Sequence, residues 1–591
     1  MLPQIKDQQE LQRRVGALAT GLTPEQMQWA SGYLAGLAAS AADVSVTGQQ
    51  TQEKLTIWYG SETGNGRGVA ERLAESASAA GLVVELKSLA EVQVRQIARL
   101  KLLVLVVSTH GEGDPPADAA ALHKLLLGDR APRLDKLRFS VFALGDSSYP
   151  DFCQTGRELD EALAGLGAQR FLDRQEVDVD FEVQEARWRP ELIEAVKPLL
   201  ERSDNHANRH LQLVPEPAAP RFDRRNPFSA EVLETAPLTV APSRKVVSHV
   251  VLSAGQGALD YQPGDALGLW PTNDPALVDE LLTLTNLDAN SEVERDEQSL
   301  SLGEWLSRRL ELTQVVRPFV QAVAERSGSA ELARLLDDRQ GFQGWVRQRQ
   351  VIDVLREYPL ALDATGLVTM LRGLSPRLYS IASSPLAQEG EVHLVVKREG
   401  GRSDDGRLRA GVASWQLTGA VKPGDSLPVY IEPNPRFRLP EDGDRPVIMI
   451  GPGTGVAPFR GFLEHRQALG QRGPNWLFFG EQHRRTDFLY QLEWQRHQKN
   501  GLLTRLSVAF SRDQAERIYV QHRIAEYGKA LFEWLEEGAH IYVCGSGQGM
   551  ASDVHKALRE AIARHGRFDA DGAEDYLQGL ANSARYQKDV Y

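Results

Sequence analysis

From Leu55 to about Leu199 the chain alternates short apolar runs with helical stretches. LTIWY at 55–59, LLVLVV at 102–107 and FSVFAL at 139–144 each end in a loop rich in Gly, Ser, Asp or Pro. That alternation predicts a doubly wound parallel sheet over residues 55–199, with any ligand at the carboxyl ends of the strands. Residues 200–225 are polar and contain Pro, as an interdomain linker does. Between 226 and 440 the pattern turns to β-rich segments separated by turns (YQPGDALGLW, RLYSIASS, EVHLVVKRE, VKPGDSLPVYI), broken by a helical stretch from about 274 to 371. This predicts a barrel carrying a helical insert. From 441 to 591 the βα alternation returns, with PVIMI, NWLFFG, LLTRLSVAFS and HIYVCG as strands, and predicts a second nucleotide-type α/β domain.

Ahead of these domains, residues 23–38 read TPEQMQWASGYLAGLA. Thr23 and Gln26 form a capping box, Pro24 takes the first helical position, and Met27, Ala30, Leu34 and Leu37 share one face. Residues 39–53 have no period, so a short amphipathic helix sits on a flexible tether. A helix of that length is marginal alone, and residues 1–53 are expected to drive self-association into a homo-oligomer.

The 591 residues leave room for about four folding units. With 67 basic and 80 acidic residues the net charge is −13, which argues against binding nucleic acid or an anionic membrane and leaves a basic partner open. No apolar run approaches the roughly 18 residues of a membrane helix, and MLPQIKDQQELQRR resembles no secretory signal, so a cytoplasmic protein is expected. The two cysteines, Cys153 and Cys544, are too few for a disulfide framework, a zinc site or an iron–sulfur cluster, and no metal site is expected.

The first strand is followed by Ser61, Glu62, Thr63, Gly64, Asn65 and Gly66, then a helix. Hydroxyls, an amide and free backbone N–H groups at a helix N-terminus make a phosphate cradle, and the absence of a following GK[ST] excludes the nucleotide-hydrolase P-loop. Two further loops leave the same sheet edge. One carries Ser108, Thr109, His110 and Gly111; the other runs through Leu144, Gly145, Asp146, Ser147, Ser148, Tyr149, Pro150, Asp151, Phe152 and Cys153. Their glycines allow close backbone approach, and His110 and Tyr149 are flat rings able to sandwich an aromatic ligand. A phosphate plus a flat ring points to FMN.

Further on, Gly453 and Thr454 lie in IGPGTGVAPFR, which follows an apolar strand and opens a helix as a pyrophosphate loop does. Ser511 and Arg512, then Arg517, Ile518, Tyr519, Val520 and Gln521, offer a hydroxyl, guanidiniums and a phenol to a ribose 2′-phosphate, which favours NADPH over NADH. Cys544 ends a strand facing this site, and the next helix carries Asp553.

The three loops of residues 55–199 resemble the flavodoxin-like half of the NADPH diflavin reductases. Arg377, Leu378, Tyr379 and Ser380 match the flavin motif of the ferredoxin reductase superfamily, joined by Val395, Val396 and Lys397 and by Gly411, Val412, Ala413 and Ser414 at a helix start. This resemblance implies FAD, with Arg377 on the pyrophosphate, Tyr379 against the ring and Ser380 near its N5. Thr313 matches an FAD-contacting position, or caps a helix. The order of domains resembles the diflavin reductases along nearly the whole chain. The family's hydride-transfer residues match Ser380, Cys544 and Asp589, with Asp553 near the nucleotide and Tyr591 stacked on the FAD. Glu112, Asp114, Asp118, Asp146 and Asp151 form an acidic rim suited to a basic acceptor.

Within the family, the leader, RLYSIASS, IYVCG and the terminal Tyr591 are most similar to the branch whose members supply electrons to a haemoprotein beta subunit, with sirohaem and an iron–sulfur centre, that reduces sulfite to sulfide for cysteine biosynthesis. The alternatives are a diflavin reductase for another haem or cobalamin acceptor and a flavin-binding scaffold without turnover.

Overall fold

The computed structural model describes residues 54–590 except 62–63, 111–112, 117, 130, 148, 150, 201–221, 256 and 403–405. The helix expected over 23–38, the association role of residues 1–53 and most of the linker lie outside the described residues.

The first sheet is built from β1 (Leu55–Gly60), β2 (Val84–Ser88), β3 (Leu102–Ser108), β4 (Arg138–Leu144), β5 (Gln169–Arg170) and β6 (Gln175–Val177). Its order is β2-β1-β3-β4-β5, with β6 also on β4, and every pairing is parallel. This is the doubly wound order with its switch point between β1 and β3. Both faces of β3 are covered, which is why its sequence lacks alternation. Leu103, Leu105 and Val107 pack with Leu122, Leu159 and Leu163; Val104 and Val106 pack with Val69, Leu73, Trp188 and Leu192. Each such burial contributes about 1.5–3 kcal/mol.

The barrel begins with β7 (Phe228–Pro237), β8 (Val247–Ser253) and β9 (Ala266–Leu269). The hairpin β10 (Glu292–Arg295) and β11 (Gln298–Ser301) leads into a set of helices, after which β12 (Arg377–Ser380) and β13 (Glu391–Lys397) return. The hairpin β14 (Gly400–Arg402) and β15 (Leu408–Ala410) precedes β16 (Ser426–Glu432). The sheet order is β12-β9-β16-β7-β8-β13, antiparallel throughout. Pleat parity sorts β13: Val392, Leu394 and Val396 fill the barrel, whereas Val395 turns to the opposite face.

The inserted helices have their own core, including Leu306, Phe319, Val320, Val323, Leu355 and Leu367. Their ends follow local chemistry. Asp274 caps the helix Pro275–Thr285 by accepting from the Ala276 N–H, and Gly328, at φ 67°, ends the helix Arg317–Ser327.

The last sheet comprises β17 (Val447–Ile450), β18 (Asn475–Glu481), β19 (Arg505–Phe510), β20 (His540–Gly545) and β21 (Tyr586–Val590). It is parallel in the order β19-β18-β17-β20-β21. Cys544 of β20 stands in register with Asp589 of β21, so their side chains emerge side by side. Among the described residues no helix is long and apolar enough to cross a membrane.

Candidate functional site

At the carboxyl edge of the first sheet, Gly64 adopts φ 82° and opens the helix Asn65–Ala79, which has no side-chain cap and no acidic residue in its first turn. Its leading N–H groups therefore face out as an anion site. Buried Ser61 accepts from the Gly66 N–H at 3.1 Å and shapes the turn. Thr109 Oγ1 accepts from the Thr155 N–H at 3.3 Å, the His110 N–H donates to Asp114 at 2.8 Å, and the Ser108 hydroxyl reaches the Gly60 carbonyl at 3.5 Å. In the third loop the Ser147 N–H donates to Asp178 at 3.0 Å, and the ring of Tyr149 is 43% exposed, open to a partner. A side chain at Gly145 would meet the Cys153 backbone at 2.7 Å, so that tight approach needs glycine. Cys153 is core: it is fully buried, its Sγ donates to the Ala143 carbonyl at 3.3 Å, and burial pushes the thiol up to about 12. Leu144 is buried too, and Asp151 packs under Gly113. Phe152 packs against the core beside Cys153. Glu62, Thr63, Gly111, Glu112, Ser148, Pro150 and Tyr591 lie outside the described residues.

In the barrel, a cavity of about 270 Å³ is lined by Thr313, Gln314, Arg377, Leu378, Tyr379, Ser380, Val395, Lys397, Glu399, Gly411, Val412, Ala413 and Ser414, with Thr454 and Ala457 from the next domain. Val396 points into the barrel core instead. A second cavity of about 240 Å³ shares Thr313 and Val412 with it. Arg377 pairs with buried Glu311 at 2.7 Å, and Thr313 donates its hydroxyl to the same carboxylate at 2.7 Å. Burial pushes Glu311 up, but Arg377, Arg372 and the Thr313 bonds outweigh it and hold the carboxyl below its usual range. Thr313 thus lines the cavity while fixing the carboxylate that orients Arg377. At the helix Val412–Trp415, the Ser414 hydroxyl accepts from the Glu399 N–H at 3.1 Å.

A larger cavity, of about 640 Å³, opens over the last sheet between Gly453, Thr454, Glu481, Ser511, Arg512, Arg517, Tyr519, Val520, Gln521 and Gly545. Gln521 donates to Asp553 at 3.1 Å on its rim, while Ile518 packs inward on the domain core. This cavity and the barrel cavity share Lys397, Glu399 and Thr454, so the two adjoin. Near their junction Asp589 Oδ2 accepts from the Ser380 hydroxyl at 2.9 Å and from the Cys544 thiol at 3.7 Å. Burial, with the Asp589 charge adding to it, holds the thiol well above its ordinary pKa, so Cys544 is a neutral donor rather than a nucleophile.

Residues absent from the sequence reading complete the picture. Lys245 pairs with buried Glu481 at 2.6 Å in the wall of the large cavity. Arg372, 7% exposed, donates to Asp146 at 2.8 Å and lies 3.7 Å from Asp178, tying the third loop of the first sheet to the insert. Arg436 pairs with Asp118. The pairs of Lys245 with Glu481, Arg372 with Asp146 and Arg436 with Asp118 join residues more than two hundred positions apart, which no local motif signals.

The uncapped helix start, the adjoining cavities and the fixed Arg377 fit a flavin phosphate, a flavin dinucleotide and a nicotinamide dinucleotide. The class so defined is a two-flavin, pyridine-nucleotide oxidoreductase. Family models agree domain by domain: Flavodoxin matches residues 57–190, FAD binding domain 220–415, and Oxidoreductase NAD-binding domain 449–556. The chain is 47% identical to the sulfite reductase (NADPH) flavoprotein alpha-component of Shewanella sp. strain MR-4, over 97% of this chain and 96% of the relative. It is 43% identical to that of Salmonella typhimurium (98% and 97% covered) and 42% identical to that of Bacillus subtilis (99% and 98%). The chain belongs to this family of sulfite reductase flavoprotein alpha-components.

Proposed function

We propose that the chain carries electrons from NADPH through FAD to FMN and on to a separate haemoprotein component, whose sirohaem and iron–sulfur centre reduce sulfite to sulfide for cysteine biosynthesis. The observation that carries this reading is that the two cavities adjoin at Thr454, with Ser380, Cys544 and Asp589 near their junction. When bound, the nicotinamide supplies two electrons together and the flavins pass them on singly.

The chain's own residues do the rest. Arg377, held by Glu311, would neutralise the FAD pyrophosphate, and Tyr379, in the same cavity, would hold the ring. Ser380 and Cys544 each donate a hydrogen bond to Asp589, whose carboxylate would oppose positive charge on a nicotinamide held beside it. Ser511, Arg512, Arg517 and Tyr519 bind the 2′-phosphate and select NADPH. Ser61 and the loop 62–66, with residues 108–111 and 145–151, would hold FMN. The chain has two cysteines, too few to ligate an iron–sulfur centre of its own, so sulfite chemistry belongs to the other component. Self-association through residues 1–53 and a cytoplasmic setting belong to the same reading.

The test is reconstitution. The pure chain with NADPH should reduce cytochrome c and form no sulfide, and addition of the sirohaem component should restore sulfide. Sulfide from the chain alone, or none from the pair while cytochrome c is still reduced, overturns the assignment of the acceptor.

A further inference from the structure

β16 ends at Glu432, and its carboxylate leaves the barrel to lie against the loop that follows β1. A Cβ built on Gly64 would stand 2.5 Å from Glu432 Oε1, so the acid occupies space that only glycine leaves open. The charged groups facing it are Arg224 and Arg67, with Asp265 adding a like charge. Both guanidiniums are already engaged. Arg224 donates to Asn65 Oδ1 at 3.0 Å and the Val179 carbonyl at 3.1 Å and pairs with Glu182 at 2.8 Å; Arg67 bonds Glu71 at 2.6 Å. Asp265 in turn is held by Arg438. Burial therefore dominates and pushes the Glu432 carboxyl up to about 7, against an ordinary 4.5.

We propose that Glu432 is a further residue of the FMN site, contributed by the barrel, and that it faces the FMN phosphate as a neutral acid, so that seating the FMN-loaded module against the barrel takes up a proton. The proposal rests on the reading of residues 61–66 as the phosphate cradle. A phosphate dianion and a carboxylate in a partly buried space repel, whereas a carboxylic acid can donate to phosphate. The sign follows from linkage. A carboxyl raised on seating holds its proton in the window between the ordinary and the raised pKa, so seating weakens as pH rises through that window. The phosphate extends the window above 7, because a second negative charge raises the acid further.

The test uses the full chain with FAD in place and FMN removed, titrated with FMN by flavin fluorescence. At about pH 6, wild type and Glu432→Gln should agree within about twofold; at about pH 8.5 the variant should bind about tenfold tighter, one pKa unit of differential interaction. The phosphate's own ionisation is common to both proteins and cancels at each pH. Riboflavin, with the same ring and no phosphate, should show no gap between them. An equal pH dependence for FMN in the two proteins, or the same gap with riboflavin, overturns the proposal. Asn65→Asp distinguishes the underlying reading: unchanged FMN affinity there would place the phosphate elsewhere and remove the cradle itself, whereas weakened affinity with no Glu432→Gln effect removes Glu432 alone.

Discussion

The first parallel sheet meets its ligand with loops of its own, whereas the last brings functional side chains to the ends of β20 and β21 and completes them from the barrel. Ser61, Thr109, Asp146 and Tyr149 all follow strands of one module. By contrast, Asp589 receives its hydrogen bond from Ser380, 209 residues away, and Glu481 is paired by Lys245, 236 residues away. Two parallel sheets thus carry sites of different dependence. The loops of the first site can travel with their module, leaving behind only Glu432 of the barrel, whereas the last site exists only while its domain stays packed on β12. That division suits an electron carrier, in which the two-electron step needs fixed partners and the one-electron step needs a unit able to reach an external acceptor.

The largest effect should come from the shared cluster. Asp589→Asn keeps an acceptor oxygen for Ser380 but removes the charge that opposes the developing nicotinamide cation. Reduction of bound FAD by NADPH, followed by stopped flow, should slow by about 10²–10³. FMN content should stay at the wild-type level, because β21 belongs to a different sheet from the first module. A rate within threefold of wild type would break the comparison by showing that the charge at the shared cluster does no work in the last site.

Next in size is Arg512→Ala, which removes a contact made within the last domain's own cavity. Loss of a charge-assisted bond to phosphate costs about 1.5–3 kcal/mol, or roughly ten- to a hundredfold in NADPH affinity. NADH, without the 2′-phosphate, should lose little. Equal losses for the two nucleotides would move the phosphate subsite away from Ser511 and Arg512.

Much of this layout is legible in the chain, for physical reasons that also mark where legibility stops. β3 reads as LLVLVV because a strand covered on both faces needs no alternation, and each loop of the first sheet declares itself by Gly, Ser and Asp at a strand end. The strings around Ser380, Cys544 and Asp589 can be seen one at a time; their meeting depends on the parallel register of β20 with β21 and the packing of β12 beside them. Cys153 shows the limit of reading a loop as a string, because a left-handed residue at φ 55° turns its thiol into the core and away from the ligand edge. Val395 and Val396 differ by pleat parity alone. Arg372, Lys245, Glu311 and Glu432 carry no local signal, because their partners come from other segments.

The smallest predicted effect concerns how the first module is held. Two arginines reach its acidic edge, and they differ in exposure: the Arg372 side chain is 7% exposed beside Asp146 and Asp178, while that of Arg436 is 45% exposed beside Asp118. A guanidinium half in water is screened by solvent and salt, so its pair contributes about 0–1 kcal/mol. Arg436→Ala should therefore slow electron passage from FAD to FMN by no more than about fivefold, since 1 kcal/mol is a factor of about five. The residual difference should shrink further between about 0.05 and 0.5 M salt, where the screening length falls below 10 Å. FAD reduction by NADPH should be unchanged, because Arg436 touches neither cavity. Flash or stopped-flow measurement of the interflavin step decides it. A loss of a hundredfold or more, insensitive to salt, would mean that the module is clamped through this exposed pair and is not the self-sufficient unit that its loops describe.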